Sequence, residues 1–99
     1  MRYVIEFAES VRGQMKALSA GQRGVVLQAI ERNLLHEPLQ ETRNRKSLRP
    51  NPVAPWELRV GSLRVFYEVA EVEPGIVRVL AVGQKQGNVL RIAGREVEL

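Results

Sequence analysis

The stretch from Trp56 to Val69, WELRVGSLRVFYEV, constrains the fold more than any other part of the sequence. It reads as two antiparallel strands closed by Gly61-Ser62. Glycine in the first of two loop positions suits a type II′ turn, whose twist matches that of the strands it joins. Counting outward from the turn then sets the register: Val60 faces Leu63, Arg59 faces Arg64, Leu58 faces Val65, Glu57 faces Phe66 and Trp56 faces Tyr67. Side chains alternate between the faces of a strand, so register decides which residues share a side. Trp56, Leu58, Val60, Leu63, Val65, Tyr67 and Val69 fall on one face, all apolar or aromatic. Glu57, Arg59, Arg64, Phe66 and Glu68 fall on the other.

The second face carries the first functional signal. Like charges directly opposite each other, as Arg59 and Arg64 are here, are unfavourable by roughly 0.2–1 kcal/mol. The two guanidiniums can fan into water or be neutralised diagonally by Glu57 and Glu68. Alternatively, they form two planar forks that converge on an anion such as phosphate. On the second reading Arg64→Ala relieves repulsion and leaves the fold at least as stable.

Composition narrows the class. Of the 15 basic residues 12 are arginine, Asp is absent, and the formal net charge is +4. An arginine surplus suits phosphate recognition, because arginine binds phosphate bidentately and lysine only as a point charge. The chain has no cysteine, which removes disulfides and zinc–thiolate sites. No apolar run approaches the ~18 residues of a membrane span, and MRYVIEFAES is broken by Glu6 and Glu9, unlike a signal peptide. A single domain over residues 1–99, without membrane contact and in the cytoplasm, is the expectation.

Along the chain, Arg2 to Phe7 alternates as a short strand. Val11, Met15 and Leu18 mark a weak helix over Glu9 to Leu18, interrupted by Gly13. Ser19-Ala-Gly-Gln22 has the form of a capping box, so a second helix starts at Ser19. Its inward stripe is Val26, Leu27, Ile30, Leu34 and Leu35, and Pro38 ends it near His36. From Glu37 to Pro55 regular structure is not expected. That loop holds Arg43, Arg45, Lys46 and Arg49, four positive charges within seven residues, and a long basic loop of this kind is a candidate RNA-binding segment. Glu73-Pro-Gly75 turns the chain into a third, nearly unbroken apolar strand from Ile76 to Gly83, the pattern of a strand covered on both sides or at the sheet centre. Ala93-Gly94 turns a last small hairpin.

The order is therefore β-α-α-β-β-β, an α+β fold in which an αα-hairpin packs on one face of an antiparallel sheet, with a short C-terminal strand or helical turn. The other face is left open, with Phe66 beside the arginines as a stacking surface for a base. His36 is the sole histidine and suits the end of the second helix. No metal or cofactor motif is present in the sequence.

The element order, the run LRVFYEV after a Gly-Ser turn, and the strand end VLAVGQK resemble the RelE/ParE family of type II toxin–antitoxin toxins. The resemblance covers nearly the whole chain. It implies a cognate acidic antitoxin as partner. RelE-like members cleave mRNA in the ribosomal A site with a metal-free, basic protein site; ParE-like members share the fold and poison DNA gyrase. A non-toxic binding module of the same fold is a third class. Residue by residue, the resemblance sets Arg64 at the family's middle-strand arginine and Arg59 at one of a basic pair, with Glu57 where RelE has lysine. Lys85 matches the basic residue after the last core strand, and Arg91 stands where RelE has a later tyrosine. These four are the candidate catalytic residues, with Arg43, Arg45, Lys46, Arg49 and Phe66 as candidate RNA contacts.

Overall fold

The computed structural model describes residues 2–99. The central hairpin forms with the register its turn dictates: β3 (Trp56–Val60) and β4 (Leu63–Ala70) pair with Trp56 opposite Tyr67 and Arg59 opposite Arg64. Gly61 has φ +59°, a value glycine reaches without steric penalty. β5 (Ile76–Gln86) pairs antiparallel with β4 along its length and outruns the expected strand by three residues, taking Gln84 and Lys85 into the sheet. Its other edge is shared. β1 (Val4–Phe7) runs parallel to its first half, whereas β6 (Val89–Ile92) runs antiparallel to its second half and carries β7 (Arg95–Val97). The last hairpin turns at Ala93-Gly94 as its sequence indicates.

The helices lie on one face. α1 (Val11–Lys16) is shorter than expected and has no side-chain cap at Ser10. α2 (Ala20–Leu34) opens on the anticipated capping box, Ser19 Oγ accepting from Gln22 N–H at 3.1 Å while Ser19 N–H donates to Gln22 Oε1 at 2.9 Å. Arg23 ties the two together by donating to the Leu18 carbonyl at 2.6 Å. Under them Val11, Val26, Ile30 and Leu34 meet Leu58, Leu63, Val65, Tyr67, Val77, Val79 and Val82 in the main core. Leu27, expected in that stripe, is 48% exposed instead. It follows Val26 directly, and a helix turns about 100° per residue, so the two cannot both face the sheet.

Two features depart from the expected sheet. First, the pairing slips between Phe66 and Tyr67: Phe66 faces Ala81 while Tyr67 faces Val79, leaving Leu80 as an extra residue. This bulge keeps Val77, Val79 and Val82 on the helix side and turns Leu80 and Ala81 to the other. The Val82 N–H donates to Gln14 Oε1 of α1 at 2.9 Å. Second, the face without helices is not open along its middle. Phe66, Ala81, Leu90 and Ala54 form a second core, with Leu48, Val53, Leu80, Ile92 and Val97 packed on it. The unbroken apolar run of β5 thus serves a core on each side. Residues 37–55 also gain a short strand, β2 (Arg45–Ser47), paired with β3. Among the described residues no helix is long and apolar enough to cross a membrane.

Candidate anion-binding site

Glu57 and its two arginines occupy the turn end of the face without helices. Alternation along β3 puts Glu57 and Arg59 on the same side, and the hairpin register brings Arg64 opposite Arg59. Glu57 Oε2 accepts from Arg59 Nε at 3.1 Å, and Glu57 Oε1 lies 3.4 Å from Arg64 Nε. Each carboxylate oxygen therefore faces a different guanidinium. The Glu57 side chain is only 7% exposed and that of Arg64 13%, against 46% for Arg59. Arg64 is held further by its NH1, which donates to the carbonyls of Gly61 at 2.7 Å and Leu63 at 2.9 Å. Its Nε makes no hydrogen bond. The diagonal neutralisation read from the register is thus realised by Glu57 and not by Glu68, which reaches Arg78.

Two lysines complete the group. Lys46 of β2 pairs with Glu57 across the strands and shares its face. It also lies near Glu41, whose carboxyl is held below its ordinary value chiefly by the Ser47 hydroxyl, with Lys46 adding to the effect. The backbone N–H of Lys85 donates to the Ser62 carbonyl at 2.7 Å, fixing Lys85 beside the hairpin turn. Its exposed side chain and Glu57 line one cleft of about 370 Å³, with Asn88, Leu90, Val97, Glu98 and Leu99 as the other walls.

The remaining candidates are placed elsewhere. Arg91 pairs with Gln84 and Glu96, one position out of step with the Lys85–Leu90 pair, so it projects to the opposite face and cannot join Lys85. Phe66 is wholly buried in the second core and is not a stacking surface, because β6, β7 and the chain around Val53 cover it. Arg45 is used internally, donating to the carbonyls of Asn33 at 2.7 Å and Gln40 at 3.0 Å. Arg43 and Arg49 are exposed on either side of β2, away from the hairpin register. Tyr67 lies in the main core, its hydroxyl donating to the Pro38 carbonyl at 2.6 Å. Burial pushes that phenol well above its ordinary value, an effect the nearby Arg45 only partly opposes.

Two placements were not readable from the sequence. Glu57 was visible as a diagonal neighbour of both arginines, but its burial was not. Lys46 was expected as an RNA contact in a loop, but not in a strand opposite Glu57, since a three-residue strand inside a basic loop has no readable period.

No family model matches the chain, and no curated protein matches it. Among solved structures it is similar to a chain of the crystal structure of the toxin–antitoxin complex RelBE2 from Mycobacterium tuberculosis. The TM-score is 0.72 and the identity 25%, over 86% of this chain and 100% of that one. Two helices on one face of a largely antiparallel sheet, an arginine-bearing central hairpin and that structural match give the chain the fold of a RelE-like toxin.

Proposed function

We propose that this chain is the toxin of a toxin–antitoxin pair and stops translation by cleaving mRNA on the ribosome. One observation carries the reading: Lys46, Arg59, Arg64 and Lys85 share the sheet face that holds Glu57, and Glu57 and Lys85 line a cleft there. Cleavage by attack of an RNA 2′-hydroxyl on its own phosphate requires the hydroxyl proton to be removed, charge on the phosphorane to be stabilised, and the leaving 5′-oxygen to be protonated. Arg64 and Arg59 supply preorganised donors for the phosphorane. Lys85, the cation exposed in the cleft, is placed to give a proton to the leaving oxygen. Glu57 is the carboxylate at hand to accept one. The partner that silences the site is an antitoxin whose acidic segment covers these cations, in keeping with the complex in which the similar chain was solved.

A second reading, inhibition of DNA gyrase without nuclease activity, is favoured by a different observation. Glu57 occupies both arginines, and the Tyr67 hydroxyl is committed to the helix side. One paired assay separates the two: map the 5′ ends of mRNA on programmed ribosomes after adding the protein, and follow gyrase supercoiling in parallel. New 5′ ends that require ribosomes are the expected result. A supercoiling block with intact mRNA replaces this reading with the second.

A further inference from the structure

The Glu57 carboxylate stands where a bound phosphate would stand. It is nearly buried, it has one oxygen toward Arg59 and the other toward Arg64, and among the described residues no other side chain forms a hydrogen bond or ion pair with those oxygens. A phosphate bridging two guanidinium forks presents the same pair of acceptors. We propose that Glu57 is an internal competitor for the anion site: it holds the two arginines in place while the site is empty, and a phosphodiester must displace it or share the forks with it. This inference rests on the nucleic-acid reading above and deepens it.

Two details support displacement over permanent pairing. Arg64 Nε, at 3.4 Å from Glu57 Oε1, is buried without a hydrogen bond, so the closed arrangement leaves one donor of the fork unspent. Arg59 makes the shorter contact, yet nearly half of its side chain is exposed, so a ligand can reach it without the fold opening. The arrangement also has a consequence for selectivity. An isolated phosphate meets a site already neutralised in part, whereas a polyanionic strand brings neighbouring phosphates to Lys46 and Lys85 at the same time. Glu57 therefore biases the site toward a nucleic-acid backbone over free phosphate.

The test is binding of a short 2′-O-methyl RNA strand, which keeps the phosphodiesters and blocks attack by the 2′-oxygen, measured at several salt concentrations. Glu57→Gln keeps the shape and removes the competing charge. It should bind about fivefold tighter or more at low salt, the factor for one unit charge at ~4 Å in water. Its plot of log affinity against log salt should be steeper by about 0.7, the slope per phosphate contact of a single strand. Glu68→Gln, the same change of net charge at the far end of the sheet face, should leave both quantities near those of the parent. Equal gains from both variants overturn the proposal in favour of a general charge effect. Weaker binding by Glu57→Gln also overturns it and makes Glu57 a permanent strut. Unchanged binding overturns it while the nucleic-acid reading stands, and no binding by either protein removes both. Should Glu57→Gln fail to fold, the unsubstituted protein decides the matter. The side-chain Nε–H resonances of Arg59 and Arg64 must both shift on saturation with the strand, and resonances that stay in place overturn the proposal.

Discussion

The face without helices carries two ionic clusters built on opposite plans. At one end Arg78 lies between two carboxylates, 3.2 Å from Glu6 and 3.4 Å from Glu68 across the β1–β5–β4 row, with all three side chains nearly half exposed. At the other end one carboxylate, Glu57, lies between two arginines and is almost buried. The residue types are the same and their stoichiometry is inverted. Exposed pairs such as Arg78–Glu68 are worth little, because water and salt screen them. A buried charge is different: desolvation makes it costly unless its partners stay in place. The Arg78 row is a surface ladder that steadies strand pairing. The Glu57 group is a preorganised patch with surplus positive charge.

Substitutions break this comparison in order of effect. Arg64→Ala should be the most damaging. It removes one of two partners from buried Glu57 and should lower stability by roughly 3 kcal/mol, toward the lower end of the range for breaking a buried pair because Arg59 remains. It should also reduce activity about 10²–10³-fold, as loss of one preorganised donor does; urea melts and the ribosome cleavage assay read the two quantities. Activity retained in a folded Arg64→Ala protein would sink the site assignment.

Gly83→Ala acts on the same end through the backbone. A Cβ at Gly83, the residue paired with Arg64, would meet the Arg91 carbonyl oxygen at 2.6 Å and Ile92 Cγ1 at 2.8 Å. Neither the carbonyl nor the β6 strand that carries it can give way cheaply, so a loss of about 1–3 kcal/mol is expected. Hydrogen exchange should rise in β6 and β7 but not in β1, since only the turn-side half of β5 is disturbed.

An alkaline titration probes the core between the clusters. Folded Tyr67 keeps its proton above its ordinary value of 10.0, chiefly through burial. The unfolded chain ionises near that value, so this contribution is complete below pH 10 and declines as pH rises past it. Tyr67→Phe should remove that decline, while costing about 1 kcal/mol at neutral pH through the lost bond to Pro38. A parent protein whose stability is flat from pH 9 to pH 11 contradicts the assignment, the two limits being roughly one unit either side of the ordinary tyrosine value. Arg78→Ala should have the smallest effect, roughly 0.2–1 kcal/mol and less in high salt, with activity intact.

How much of this was legible in the sequence follows from the length scale of each signal. The hairpin register, the capping box and the closing Ala93-Gly94 turn are set by a few adjacent residues, and each is present as expected. The second core was not readable, because it depends on the Leu80 bulge and on β6, β7 and the chain around Val53 folding over Phe66. The same covering buries Glu57. Register alone made Arg64→Ala a relief of repulsion between arginines, but the buried carboxylate reverses that sign. Arg91 was misplaced by a single step of alternation, which no composition or spacing in QKQGNVLRI fixes.

The shared edge of β5 also orders events in time. The arginine hairpin closes over a two-residue turn and needs nothing distant in the sequence. β5 then reaches β4 through the short connection after Ala70 and brings Lys85 with it, whereas Val4 pairs with Ile76 across most of the chain. Pairings of such long range carry the larger loop-closure entropy and form late. The chain therefore assembles its arginines and Lys85 from neighbouring strands and adds β1 to the free edge of β5 last.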